Sequence, residues 1–200
     1  MNEFKPNVSF SQASFCRLYL SKYTNDPFKS KTLSDNQPSE LIKLCEFSSN
    51  VKWTLLYRGI RDGFAARFFH SKCDNHNNTL TILKAHGSSY IFGGFASINW
   101  ESFGKSKSDP NAFLSSPTNK SNQPCKMRQI NNVDSIYCRS DFGPIFGAND
   151  ICIRNNANLK ESCYSNLGRS YRHPQPNQGD LYLAGSLQFQ LNEIEVYQKE

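Results

Sequence analysis

The run Tyr90-Ile91-Phe92-Gly93-Gly94-Phe95-Ala96-Ser97-Ile98-Asn99-Trp100 decides the fold. Read with a period of two, it places Tyr90, Phe92, Gly94, Ala96, Ile98 and Trp100 on one face. Ile91, Gly93 and Phe95 take the other face. A strand apolar on both faces has to be buried on both, inside a sandwich or under helices. The pair Gly93-Gly94 marks a close backbone approach or a bulge.

Upstream, Thr79 to Lys84 alternates as a strand, and Ala85-His86-Gly87-Ser88 is a turn. Trp53 to Arg58 is a further strand. Between them a helix is predicted to begin at Asp62-Gly63, with Phe64, Phe68 and Phe69 on one stripe. His70 sits near its end, where a positive charge suits the helix dipole. Pro38-Ser39 predicts an earlier helix with Ser39 as N-cap and with Leu41, Leu44 and Cys45 sharing a face. It stops by Ser48-Ser49-Asn50.

Downstream, Glu101 to Pro110 reads as a charged loop. Short strands are predicted at Ala112-Leu114, Cys125-Met127, Ser135-Cys138 and Asp150-Ile153. Gly143, Pro144 and Gly147 punctuate the approach to Asp150, and Asn155 to Pro176 is mostly loop. Leu187, Phe189 and Leu191 share one phase, whereas Ile194 and Val196 fall in the other. A bulge near Asn192-Glu193 restores them to one face and leaves Glu193 and Glu195 as the exposed phase. The prediction is an α+β, mainly β fold: a two-sheet antiparallel β-sandwich with flanking helices. It spans 39–200. Residues 1–38 read as a polar, poorly ordered arm in which Phe10, Phe15, Leu18 and Tyr19 can form a short amphipathic helix.

The chain has 200 residues and a mass of 22.8 kDa, enough to bury a core without disulfides or a structural metal. No apolar run approaches the roughly 20 residues that span a bilayer, so no membrane insertion is expected. Neither a secretory leader nor a lipidation signal is visible. Fifteen Phe and nine Tyr are too many for a disordered chain. The net charge is 23 − 17 = +6. Residues 51–100 hold the largest share, with six cations (Lys52, Arg58, Arg61, Arg67, Lys72, Lys84) against two acids. These cations are dispersed singly, which argues against nucleic acid and for a solvated or protein-docking surface.

Seven cysteines with no CxxC spacing read as reduced cytoplasmic thiols, and the Asn-x-Ser/Thr sites at Asn7, Asn77 and Asn119 then carry little weight. His70-x-x-Cys73 with His76 has local metal spacing, but no second close ligand pair follows, so no metal is expected. A Cys-His nucleophile would need Cys73 or Cys163 beside one of the four histidines, and no nucleophile elbow is present. Glu101, Asp141 and Asp150 lie at strand ends and loops, where acids serve catalysis or simply bond turn amides. No phosphate-binding glycine loop and no cofactor motif appear, so no cofactor is expected. The residues by themselves favour a binding or regulatory module.

Several blocks together resemble a known family. Trp53-Thr54-Leu55-Leu56-Tyr57-Arg58-Gly59-Ile60-Arg61-Asp62-Gly63-Phe64 looks like the start of a TLDc domain, the module of the oxidation resistance proteins. In order there follow Phe69-His70-Ser71-Lys72-Cys73-Asp74, then Phe92-Gly93-Gly94-Phe95 with Trp100-Glu101-Ser102, and Phe142-Gly143-Pro144-Ile145-Phe146-Gly147 with Asp150. Tyr164-Ser165-Asn166-Leu167-Gly168, Tyr171-Arg172-His173-Pro174 and Glu193-Ile194-Glu195-Val196-Tyr197 complete the likeness, which covers about residues 40–198. It implies the flanked two-sheet sandwich, eukaryotic origin and a part in the oxidative stress response. Some members bind the vacuolar proton-pumping ATPase and promote separation of its cytosolic sector from the membrane sector, and no agreed enzymatic activity accompanies the fold.

The motif residues carried over as partner-binding candidates are Arg58, Asp62, Gly63, Gly93, Gly94, Glu101, Gly147, Asp150, Gly168 and His173. A protective cysteine of the family falls within about one position of Cys163. Two departures stand out. Ser115 and Pro117 replace apolar residues, which predicts a shortened or edge strand there. The stretch Pro174 to Asp180 looks shorter than the family loop and lacks part of its short helix.

Three functions compete. The first is a non-enzymatic, monomeric regulatory module that binds a cytosolic protein assembly, with the proton pump as the favoured partner. The second is an enzyme, redox-active through Cys163 or hydrolytic through Glu101 and Asp150. The third is an adaptor that docks through residues 1–38.

Overall fold

The computed structural model of the protein describes residues 26–200. The amphipathic segment read around Phe10–Tyr19 lies outside them. Helix α1 (Gln37–Leu44) starts ahead of Ser39, with Asn36 at its N-cap and Pro38 in its first turn. There the missing proline amide has no intrahelical partner to lose. Strand β1 (Trp53–Arg58) leads into two helices where one was expected: a single turn, α2 (Gly59–Asp62), and then α3 (Ala66–Cys73). Gly63 divides them at φ +99°, and a Cβ there would stand 2.7 Å from the Phe68 ring.

The remaining strands are β2 (Thr79–Ala85), β3 (Ile91–Ala96), β4 (Phe103–Lys107), β5 (Phe113–Thr118), β6 (Cys125–Arg128), β7 (Ile136–Arg139), β8 (Phe142–Phe146), β9 (Ile151–Arg154), β10 (Cys163–Tyr164), β11 (Gln188–Phe189) and β12 (Leu191–Lys199). Two of them correct the sequence reading. The charged loop at 101–110 contains β4, whose largely exposed residues carry no apolar alternation to read. The supposed punctuation at Gly143-Pro144 lies inside β8. Its pairing with β9 shifts between Phe142 and Ile145, so Pro144 falls where the ladder is already broken.

All strand pairs within the sheets are antiparallel, in two six-stranded sheets ordered β1-β12-β2-β3-β5-β6 and β11-β10-β9-β8-β7-β4. Between them lies the main core, with Leu83, Phe92 and Leu114 from the first sheet and Ile136, Phe146 and Ile151 from the second. Gly93 and Gly94 allow two close approaches. A Cβ on Gly93 would stand 2.0 Å from the Thr81 carbonyl oxygen, and one on Gly94 would stand 2.7 Å from the Phe146 ring. The strand that is apolar on both faces is therefore buried on both.

The outer face of the first sheet is covered by α1 and by residues 26–33. Phe28, Leu33, Leu41 and Ile42 pack there on Trp53, Leu80, Ile82 and Phe95. Phe28 is 3% exposed, so the packed unit starts ahead of residue 39. Strand β5 lies between β3 and β6 and is not an edge. Its register with β3 slips between Ile91↔Thr118 and Gly93↔Ser115, while its pairing with β6 ends at Ser116↔Cys125. Pro117 thus occupies a bulge beyond the last β6 pair, where its missing amide is tolerated. The shortened stretch after Pro174 retains a 3-10 helix at Pro176–Leu181.

The expected bulge in β12 is present between Leu191 and Glu193. Leu191, Ile194 and Val196 face the main core together. Glu193 and Glu195 do take the opposite phase, but they are not solvent-exposed: they are 4% and 0% accessible.

Candidate functional site

The motif residues of the sequence hold the scaffold. Glu195 is the central case. Its Oε1 accepts from Arg58 Nε at 2.8 Å and from the Lys31 amide at 2.9 Å, and its Oε2 accepts from Ser30 Oγ at 2.5 Å. The Arg58 guanidinium also donates to the Lys29 carbonyl at 3.1 Å. Asp62 accepts from the Arg58 amide at 2.9 Å and is gripped by both arms of Arg61. The Arg61 contact, above all, holds its carboxyl below the usual range. Gly63 offers its carbonyl to the Tyr57 hydroxyl at 2.7 Å. Glu193 Oε1 accepts from the Ile60 and Ile194 amides at 3.0 and 2.9 Å. Its Oε2 is buried without a partner among the described residues.

Asp150 is fully buried. It accepts from four successive amides, Gly168, Arg169, Ser170 and Tyr171, at 2.9–3.1 Å. Burial pushes its carboxyl up, and these four bonds oppose the shift. Gly147, at φ +66°, leaves room for that carboxylate, since a Cβ would lie 2.2 Å from Oδ2. Gly168 turns at φ +109° beside the His173 side chain. The His173 ring accepts from the Gln175 amide at 3.0 Å and packs edge-on against Tyr182.

Glu101 is held by Lys107 Nζ at 3.0 Å and lies below the usual carboxyl range for that reason first. Cys163 is 0% exposed and its thiol is pushed up to about 12 by burial. A reactive cysteine needs an accessible thiolate, which this environment disfavours. Glu101, Asp150 and Cys163 are engaged by different groups, Lys107, the Gly168–Tyr171 amides and the Arg154 amide, and no hydrogen bond among the described residues joins the three. The ring nitrogens of His70 are engaged by Asp74 Oδ1 at 2.8 Å and by the Arg139 and Phe142 carbonyls at 2.7 and 2.9 Å. Cys73 is buried, and no group of three His, Cys, Asp or Glu among the described residues is arranged for a metal.

A candidate binding surface is on the outer face of the second sheet. Phe142, Ile145 and Cys152 form a small buried cluster there, with Tyr137 and Tyr164 packed against it. Two guanidiniums roof it. Arg139 lies 4.4 Å from the Phe142 ring centre, and Arg154 lies 5.0 Å from Phe142 and 5.7 Å from Tyr164. Asp141 grips Arg139 at 2.9 and 2.7 Å. Arg154 has no carboxylate partner among the described residues. A hollow of about 800 Å³ opens on one side and one of about 380 Å³ on the other, and Phe142, Arg154 and Tyr164 line both. The sequence reading passed over these residues. The signal was present in the phase of β7 and β9 opposite the core, where Tyr137, Arg139, Cys152 and Arg154 alternate with apolar residues.

Comparison with known families finds that the TLDc domain matches residues 27–200. No curated protein sequence matches it.

Proposed function

Because this chain belongs to the TLDc domain family, we propose that it is a non-enzymatic regulatory module of oxidative-stress resistance. It acts in the cytoplasm of a eukaryotic cell, as a monomer, by binding protein, with the vacuolar proton-pumping ATPase as partner. The observation that carries this reading is the aromatic and arginine roof on the second sheet. Arginine and tyrosine dominate the few residues that supply most interface energy. Here the cation–π contacts of Arg139 and Arg154 fix them in advance, which lowers the entropy lost on binding. Further support comes from the motif carboxylates. Asp150 and Glu195 are occupied in joining segments of the scaffold, Asp62 is held by its neighbours Arg58 and Arg61, and Cys163 is enclosed.

The test is recovery of pump subunits from a eukaryotic lysate by the immobilised full-length chain. Arg154→Glu, at an exposed position, is expected to lower that recovery by about tenfold while the lost cation–π contacts lower the thermal midpoint by only about 2–4 °C. Recovery of no pump subunit by the folded wild-type chain would remove the partner from the reading.

A further inference from the structure

The hollow of about 800 Å³ beside the arginine roof is walled by donors without protein partners. Arg154 lines it and lies over the Phe142 and Tyr164 rings. A guanidinium laid on two rings is partly shielded from water, which strengthens a bond to a carboxylate. The Lys160 ammonium, also in the wall, has no hydrogen-bond or ion-pair partner among the described residues. Asn155 uses its Oδ1 to accept from the Ala66 amide at 2.8 Å, which leaves its Nδ2 to donate. Ser162, in the same wall, has its Oγ buried without a partner among the described residues.

The acids of this hollow are Asp141 and Glu161. Asp141 is gripped by Arg139, the first cause of its lowered carboxyl, whereas Arg154 is the last. With that pair set aside, Arg154 and Lys160 face Glu161 alone, an excess of one positive charge. Such a balance suits one incoming carboxylate and not an acidic run, which Glu161 repels. Leu187 adds an apolar wall and is 47% exposed. In an extended segment, side chains two residues apart share a face at about 7 Å, so an acid and an apolar residue can enter together.

We propose that this hollow seats one aspartate or glutamate side chain of an extended partner segment, with an apolar side chain two residues away against Leu187. The inference rests on the reading of this face as a protein-docking surface and names what the partner presents there. The carboxylate accepts from Arg154 and Lys160, and Glu161 selects against neighbouring acids.

The test titrates the full-length chain with the synthetic peptide Ser-Leu-Ser-Glu-Ser-Leu-Ser and follows its amide resonances. Binding is expected to be about tenfold tighter than that of the same peptide with Gln at its centre. Ser-Glu-Ser-Glu-Ser-Glu-Ser is expected to bind more weakly than the single-acid peptide, and Glu161→Gln is expected to narrow that gap. Arg154→Gln and Lys160→Gln, both at exposed positions, are each expected to reduce the preference for Glu over Gln, and together to erase it. Equal binding of the Glu and Gln peptides overturns the proposal, as does a preference that survives both substitutions. Tighter binding of the triple-acid peptide to the wild-type chain overturns the single-carboxylate site. Displacement of the peptide by inorganic phosphate at about one tenth of the acetate concentration overturns it in favour of a phosphate site. If pump subunits are recovered in an Arg154-dependent way but the Glu preference is absent, this inference alone falls. A Glu preference without pump recovery removes the pump and keeps the site.

Discussion

Glu195 has no solvent contact, yet it joins three parts of the chain: residues 26–33, the end of β1 and the centre of β12. Removing one member of such a pair leaves the other charge without its counterion. Glu195→Ala is expected to cost about 3–5 kcal/mol, read as a lower urea midpoint. Glu193, two residues away, behaves differently. Burial, as the leading cause, raises its carboxyl above the ordinary 4.5. The folded chain therefore holds this proton more tightly than the unfolded chain does. The resulting stability is fully present below the unfolded value and is lost as pH rises through the folded value. Glu193→Gln keeps an acceptor for the Ile60 and Ile194 amides and removes the charge. Its stability relative to wild type is expected to increase from pH 4 to pH 7 in denaturant titrations at the two values. A constant difference would show that the charge is not the cause. The alternation in Glu193-Ile194-Glu195-Val196 revealed which side chains point away from the main core. It could not reveal that a segment about 165 residues earlier in the chain covers Glu195, or that the turn at Gly59-Ile60 covers Glu193.

At the scale of elements, legibility followed the apolar pattern. β1, β2, β3 and β12 carry enough apolar periodicity to be read directly, and the bulge in β12 was legible because the phase of that pattern changes. β4 and β8 escaped for opposite reasons. β4 is an edge whose side chains meet water, so burial leaves no mark on its residues. β8 is wholly buried, but Gly143 and Pro144 look like turn residues unless the register shift that accommodates them is known. Pro117 misled for the same reason, as it sits in a bulge and not on an edge. The pair Gly93-Gly94 carried the correct message of close approach. Gly93→Ala would drive its Cβ onto the backbone of β2, which cannot swing aside as a side chain can. The expected loss is about 3 kcal/mol or more, measurable as a fall in thermal midpoint. An unchanged midpoint would mean that β2 and β3 can separate freely.

Across the whole molecule, the sandwich turns its two outer faces to different uses. The first is closed by α1 and residues 26–33, whereas the second is roofed by side chains and flanked by hollows. The sandwich itself was legible, because doubly apolar strands admit few architectures. The candidate surface was not, because its arginines look like ordinary surface charge until the sheet brings Arg139, Phe142 and Arg154 together from three strands. The motif residues pointed to the family and, in the structure, to its scaffold.

The six described cysteines are free: five are buried and Cys125 is half-buried, and burial raises every one of their thiols. Their kinetics of modification therefore count openings of the fold. An aromatic disulfide reagent, followed by peptide mass mapping, should mark Cys125 first. Cys73 and Cys163 should be marked last, at the rate of global unfolding. Prompt marking of Cys163 in the native chain would contradict this order. A brief pulse of peroxide would then spare the buried thiols of intact chains and convert those exposed by opening to sulfenic acid, a mark that a second oxidation to sulfinic acid makes permanent. Within one population, the thiols would record how often each molecule had come apart.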